Sequence, residues 1–432
     1  MLLLHLSDIH FRRGVMGKPM DPDLTLRNEI VLDVEKQSGQ LGKVDAVLLS
    51  GDIAYGGHSE EYQFALHWLE RLCRVCGCSP SNVFMCPGNH DVDRTIVSKS
   101  RLISALHQQI KAAQDDLTYD NLLRDLLTAP DSGPLLYEPI ANYNLFAQST
   151  FCDIFPPDRT IATRDLMLND GSTLRLSGFN SALISSATDV RGQLAVDPAC
   201  YQLIREPGVE HLVMCHHPFE WLRGGQRLRD HLNDLARLQL FGHEHSNRID
   251  LNRDYVRLAA GAVHPDRAEP GWEPGYNLIN LQVVGTGTNR QLEVQVHVRV
   301  WQQSAPSLFR AKVDHGEEPV FRWSVALTPW APPPQQARES LELNATPVTA
   351  DVDTDSPTPR GSDPMNTLRD INVRFFKLTL SQKSEIAGRL GLLEEEDVNL
   401  PDYERFRQVF LRARERDLVQ QLDQEISAMA EQ

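Results

Sequence analysis

The chain has 432 residues, 41% apolar and 24% charged, with a formal net charge of −16. This composition excludes a fibrous repeat and disorder throughout, and no stretch reaches the roughly 18–20 uncharged apolar residues that span a membrane. The acidic balance argues against a general nucleic-acid coat, which acts by releasing counterions from basic patches. At roughly 150 residues per domain, the length allows two or three domains. The opening MLLLHLSDIHF lacks the basic segment of a signal peptide, and its apolar run ends at Asp8 and His10, so a cytoplasmic location is expected.

In chain order, LLLHLSD (2–8) predicts a buried strand, 24–37 a helix, and DAVLLSGD (45–52) a second strand. SEEYQFALHWLERLCRV (59–75) has helical spacing, with Ser59 as its expected N-cap and Glu60 and Glu61 in the first turn. VFMCPGNHD (83–91) predicts a third strand running into a loop. Apolar residues at 3–4 spacing then predict a helical insertion over 94–128. Asn142-Tyr143-Asn144 reads as a polar turn. Strands resume at 173–181, 211–218 and 238–245. From 255 to 330 the period changes to two, which predicts consecutive antiparallel strands. The seven cysteines (Cys73, Cys76, Cys78, Cys86, Cys152, Cys200 and Cys215) are irregularly spaced and read as reduced, buried thiols. Residues 1–330 thus form one α/β domain with two packed sheets.

Residues 331–365 are rich in Pro, Thr, Ser and Asp, without apolar periodicity, and read as a flexible linker. Residues 366–432 read as a small all-α domain. Leu368, Ile371, Phe375 and Phe376 mark one apolar face, Ser381 is the expected N-cap of the next helix, and Pro401-Asp402-Tyr403 opens another.

Five apolar runs end in metal-type ligands: Asp8-Ile9-His10, Gly51-Asp52, Gly88-Asn89-His90-Asp91, His216-His217-Pro218 and Gly242-His243-Glu244-His245. Strand ends are pre-positioned by a rigid sheet and can converge on one point. Mixed imidazole and carboxylate ligation suits manganese, iron, zinc or nickel. Strand alternation sends adjacent side chains to opposite faces, so only one of His216 and His217 is expected to be a ligand. His5 reads as a core residue, His58 as a solvated loop residue, and His264 and Arg94 as lying outside the ligand set.

The blocks D-x-H, G-D, G-N-H-D, H-H-P and G-H-x-H, in this order, resemble the calcineurin-like metallophosphoesterase family over roughly residues 1–300. The resemblance implies a two-sheet αββα sandwich and two divalent metal ions, with manganese the natural choice for assay. Asp8, His10 and His245 would hold the first ion, Asp52 would bridge, and Asn89, His216 and His243 would hold the second. His90 would be the catalytic acid at the substrate, oriented by Asp91. Two-metal chemistry then implies a shared water whose hydroxide attacks phosphorus. The implied function is a dinuclear phosphoesterase acting on a phosphodiester such as a nucleotide or cyclic nucleotide. The alternatives are a metal-dependent nuclease, with a groove carrying Arg94, Lys99, Arg101 and Lys111, and a phosphate-sensing interaction protein with little catalysis.

At the C-terminal end, the runs Phe376-Lys377-Leu378-Thr379-Leu380-Ser381 and Ile386-Ala387-Gly388-Arg389-Leu390-Gly391-Leu392 resemble bacterial effector-associated adaptor domains of the death-like helical type. This resemblance implies a protein partner bound through residues 366–432, and recruitment in bacterial signalling or defence.

Overall fold

The computed structural model describes residues 1–266, 272–313, 318–332, 364–394, 396–397, 400 and 402–430. Residues 333–363 of the expected linker (331–365), and residues 267–271, lie outside the described residues. The first half alternates strands and helices: β1 (Leu2–Leu6), α1 (Leu24–Leu41), β2 (Ala46–Leu49), α2 (Ser59–Cys76) and β3 (Val83–Met85). A helical stretch follows: α3 (Arg94–Lys99), α4 (Arg101–Lys111), α5 (Asp116–Thr128), α6 (Gly133–Tyr137) and α7 (Ala141–Ala147). Next come β4 (Ile161–Met167), β5 (Thr173–Phe179), β6 (Val209–Cys215), α8 (Gly225–Leu235), β7 (Ala236–Phe241), β8 (Arg248–Leu251) and β9 (Val256–Ala259). The large domain closes with β10 (Gly275–Val284), β11 (Gln291–Gln302), β12 (Leu308–Ala311) and β13 (Phe321–Ala326). Four helices complete the chain: α9 (Pro364–Phe376), α10 (Leu380–Arg389), α11 (Asp402–Glu415) and α12 (Val419–Ala430). No helix among the described residues is long and apolar enough to cross a membrane.

One sheet runs β12-β11-β10-β1-β2-β3, with β13 also on β11; the other runs β4-β5-β6-β7-β9-β8. β1, β2 and β3 are parallel, as are β5, β6, β7 and β9. Their residues are almost wholly buried (LLLHL, AVLL and VFM carry no exposed position), as parallel strands covered on both faces must be. One apolar core takes side chains from both sheets, including Leu4, Leu48, Leu176, Leu212 and Leu278. A second cluster, with Phe219, Leu228 and Leu232, seats α8 on the other face of β6 and β7. Across the first sheet, Asp33 on α1 accepts hydrogen bonds from Tyr276 (2.6 Å) and Arg299 (2.8 and 2.7 Å). The layers are therefore helix, sheet, sheet, helix, as expected.

Several local expectations need correction. The helical insertion does not stop at 128. Pro134 and Pro139 divide its continuation into short pieces, which hides the periodicity. Asn142-Tyr143-Asn144 lies inside α7 instead of a turn, and the buried Asn144 accepts a hydrogen bond from the Ile154 N–H at 3.0 Å. β9 pairs in parallel with β7, so the run after 255 is not uniformly antiparallel. The N-cap of α2 is His58, half-buried, with Glu61 accepting from its N–H; Ser59 is already helical. The N-cap of α10 is Thr379, in a capping box with Gln382, and not Ser381.

The C-terminal helices have their own core, built on Ile371, Phe375, Ile386, Phe406, Val409, Phe410, Leu422 and Ile426. They also dock on the large domain. The carboxylate of Asp153 is fully buried and pairs with Arg159 at 2.7 Å and with Arg407 of α11 at 3.2 Å. The Asn372 amide donates to the Gln148 carbonyl, Ser79 donates to Asp370 at 3.0 Å, Lys377 pairs with Glu70, and Phe151 meets Phe410 edge-on. Removing one partner of a buried pair costs about 3–5 kcal/mol, and reversing its charge adds repulsion. Arg407→Glu should therefore loosen α11 and, through their shared core, α9, and amide exchange at Gln148–Thr150 and Val83–Met85 should speed up by hydrogen-exchange mass spectrometry. Unchanged protection there would show that docking does not depend on this pair.

Candidate metal centre

Because β1, β2 and β3 are parallel in one sheet, and β6 and β7 in the other, the loops after these strands share one end of the sandwich. The loops after β1 and β2 are also laced together by backbone bonds: Asp8 N–H to the Gly51 carbonyl (3.1 Å), Ile9 to Asp52 (2.9 Å) and Phe11 to Ile53 (3.0 Å). This lacing fixes Asp8, His10 and Asp52 relative to one another. Glycine is needed where the loops crowd. At Gly51 φ is +99°, and an added Cβ would lie 2.6 Å from Nδ1 of His216. At Gly88 an added Cβ would overlap the Asp52 carboxylate.

All seven expected ligands come together. His245 Nε2 lies 3.1 Å from Asp8 Oδ1, and His10 Nε2 lies 3.3 Å from Asp52 Oδ2. The same Asp52 oxygen lies 3.2 Å from His216 Nε2. Asn89 Oδ1 lies 3.2 Å from His216 Nε2 and 3.1 Å from His243 Nδ1. Asp52 thus stands between one donor set, Asp8, His10 and His245, and another, Asn89, His216 and His243. The far nitrogens are held by the protein: His10 Nδ1 by the His264 carbonyl (3.2 Å) and His216 Nδ1 by the Ser50 carbonyl (2.9 Å). Each such bond fixes a tautomer that leaves Nε2 free to bind a cation.

The donor set fits divalent ions on two further counts. Asp8, His10, Asp52, His243 and His245 all have φ between 51° and 71°. Left-handed backbone at non-glycine residues costs on the order of 1–3 kcal/mol each and clusters at functional sites. The electrostatics also call for positive charge. Burial pushes both Asp8 and Asp52 up, but the surrounding imidazoles together outweigh it, His216 foremost, with His245 on Asp8 and His10 on Asp52, and hold both carboxyls well below the usual range. Burial pulls His216 down in turn, yet Asp52 and Asp8 raise it to about 9, so this imidazole carries the compensating charge. His243 falls to about 4 through burial and the neighbouring His216.

Three residues stand differently from expectation. His217 was expected to point away from His216, but both rings enter the site, and His217 Nε2 lies 3.1 Å from Asn89 Oδ1. β6 ends at Cys215, so strand alternation no longer governs the pair; Ser181 Oγ then holds His217 Nδ1 at 2.8 Å. Asp91 does not orient His90. Its carboxylate turns inward and accepts from the N–H groups of Ala54 and Gly88, both at 2.9 Å, and from the Tyr62 hydroxyl at 2.9 Å. Burial, with Asp52 nearby, raises Asp91 to about 6. His90 is positioned instead by the Tyr55 carbonyl, 2.7 Å from Nδ1, with the Tyr55 ring stacked on it at 5.0 Å. A backbone acceptor leaves no mark in a sequence, so this contact was not legible.

The remaining residues fall outside the ligand set. His5 is buried against Ser50 at 2.9 Å, and the half-buried Arg94 lies close enough to His90 to lower it slightly. His264 reaches His10 only through its carbonyl. All seven cysteines are buried, free thiols.

The sequence model of the calcineurin-like phosphoesterases matches residues 1–247, a stretch that holds all seven expected ligands. The chain belongs to the calcineurin-like phosphoesterase family. The model of the GTPase-associated adaptor domain matches residues 367–428, which identifies the C-terminal helices as an adaptor domain. Among curated relatives, the metallophosphoesterase-like protein YydB of Bacillus subtilis is 22% identical over 287 residues, 61% of this chain and 53% of that protein. Glycerophosphodiester phosphodiesterase GpdQ of Enterobacter lignolyticus is 37% identical over 91 residues, 21% of this chain and 30% of that protein. The chain thus spans about half, or less, of the length of these curated relatives. Among solved structures, a zinc complex of Vps29 from Entamoeba histolytica covers 75% of this chain and 99% of its own, at 10% identity and a TM-score of 0.31.

A ligand that binds only the folded state at 100 times its Kd stabilises that state by about 2.7 kcal/mol. Saturating Mn²⁺ should raise the unfolding midpoint of chelator-treated phosphoesterase by several degrees in differential scanning fluorimetry, and Asp52→Asn should lose at least half of that gain. An equal gain in the variant would remove Asp52 from the ligand set.

Proposed function

We propose that this phosphoesterase holds two divalent ions and hydrolyses a small phosphodiester of the nucleotide type, and that its adaptor domain brings it to a protein partner. The observation that carries this reading is the Asp52 carboxylate, whose Oδ2 lies 3.3 Å from His10 and 3.2 Å from His216, members of two different donor sets. When bound, such ions act as Lewis acids toward phosphoryl oxygens and activate water near neutral pH. Asp8, His10 and His245 would hold one and Asn89, His216 and His243 the other, with His217 available to the second. Manganese, iron, zinc and nickel all suit these donors.

The chain's own residues supply the rest. His90 donates Nδ1–H to the Tyr55 carbonyl, which turns Nε2 toward the site; in the doubly protonated ring, a form that burial disfavours, Nε2 is the nitrogen that gives a proton to the leaving oxygen. Asp52 Oδ1 accepts the His90 N–H at 2.7 Å, which couples the position of the acid to the bridging carboxylate. Asp91 and Tyr62 hold the loop that carries both. A formal charge of −16 disfavours long polyanions and supports a small substrate. The buried free thiols support a reducing, cytoplasmic setting.

Metal-loaded protein should hydrolyse nucleotide phosphodiesters, and this activity should vanish with chelator and in Asp52→Ala. His90→Ala should keep its metal, measured by inductively coupled plasma mass spectrometry, and lose about 10²–10⁴-fold in kcat. Turnover confined to single- or double-stranded nucleic acid would replace this reading with a nuclease. Full metal loading with no turnover of any ester would leave a phosphate-sensing interaction protein.

A further inference from the structure

A second feature adjoins the metal centre. A pocket of about 580 Å³ opens beside His243, lined by Trp221, Arg191, Arg229, Arg248 and Arg257. In a protein with an acidic excess, four arginines on one small pocket stand out. Three acids answer them: Glu244 pairs with Arg191 (2.9 Å) and Arg248 (3.7 Å), Glu220 with Arg229, and Asp250 with Arg257 (3.7 Å). The wall keeps a positive balance next to the ligand set.

Trp221 packs on His243, the expected ligand that also lines this pocket. Its ring lies 4.3 Å from the His243 ring at 86°, and the Arg191 guanidinium carbon stands 5.3 Å from its centroid. Its Nε1 is buried and has no hydrogen-bond partner among the described residues. The residue is also held firmly. The Leu194 N–H donates to the Trp221 carbonyl (3.0 Å) and the Arg223 N–H to the Leu194 carbonyl (2.9 Å), tying the Trp221 turn to the loop that carries Arg191.

We infer that the Trp221–Arg191 pocket receives the nucleoside part of the substrate, with the base stacked on these two side chains. This deepens the phosphodiesterase reading above and rests on it. A phosphoryl group beside His243 carries its ester substituent toward Trp221, since the two rings are in contact. Aromatic rings and guanidinium planes both stack on planar bases, and such a contact is sequence-tolerant because every base has a π-face. The 580 Å³ volume falls within the range of small-ligand sites and is far too small for a folded polymer.

The test compares full-length, Mn²⁺-loaded wild type, Trp221→Ala, Trp221→Phe and Arg191→Ala on two diesters. One is the methyl ester of adenosine 5′-monophosphate; the other is glycerophosphoethanolamine, which has no ring. The ratio of kcat/KM, nucleoside ester over aliphatic ester, should fall about tenfold or more in Trp221→Ala, and less in Trp221→Phe, which keeps a ring to stack on. A ratio unchanged in both Trp221→Ala and Arg191→Ala would overturn the inference, whatever happens to absolute rates. Metal content of each variant separates a lost base contact from a disturbed His243. If wild type turns over neither ester, the phosphodiesterase reading fails and binding decides. Calorimetry should then show adenosine monophosphate binding at least tenfold tighter than inorganic phosphate, with the advantage lost in Trp221→Ala. Equal affinity for the two anions would sink the pocket assignment.

Discussion

Two buried carboxylates, Asp8 and Asp52, impose the central constraint on this protein. Both are almost fully excluded from solvent at the shared end of two sheets. Anionic charge taken out of water is tolerated only when positive charge or donors surround it. The surrounding structure provides both. His216 is raised to about 9 by these carboxylates, the His90 N–H donates to Asp52, and the His243 N–H donates to Asp8 at 3.2 Å. Five left-handed ligand residues and the crowded glycines follow from the same demand, because the loops must turn within a few residues to bring their side chains to the two acids. Divalent ions satisfy that demand more fully than one protonated imidazole can.

The demand reaches outward through the fold. Asp91, pushed up by burial and by Asp52, is steadied by two loop N–H groups and the Tyr62 hydroxyl. Tyr62 belongs to α2 and stacks on Phe146 of α7 at 5.2 Å. The adaptor helices rest on the same two elements, through Lys377 on Glu70 and through α11 against α7. The loop that carries Asn89, His90 and Asp91 and the adaptor domain therefore share a support, although their apolar cores are separate.

Much of this was legible in the sequence because each ligand block follows a short, mostly apolar run. An apolar run that stops abruptly at Asp, His or Asn marks a strand end, and the five blocks in order mark one family. What stayed hidden depends on direction or on long-range packing. His217 looked excluded by strand alternation, yet the strand ends one residue before the His-His pair. Asp91 looked like the orienter of His90, but a carbonyl of Tyr55 does that work, and carbonyls are the same in every residue. β4 (IATRDLM) alternates weakly, with its Met167 exposed, and was missed as an edge strand. The docking of the adaptor domain rests on Asp153 and Arg407, 254 positions apart, which no local pattern connects.

The central claim is that one carboxylate, Asp52, stands between two bound cations. Anomalous diffraction from crystals of the full chain grown with Mn²⁺ tests it most directly. The account predicts two anomalous peaks flanking Asp52, one within ligand distance of Asp8, His10 and His245, the other of Asn89, His216 and His243. A single peak, or peaks that leave Asp52 unligated, would contradict it.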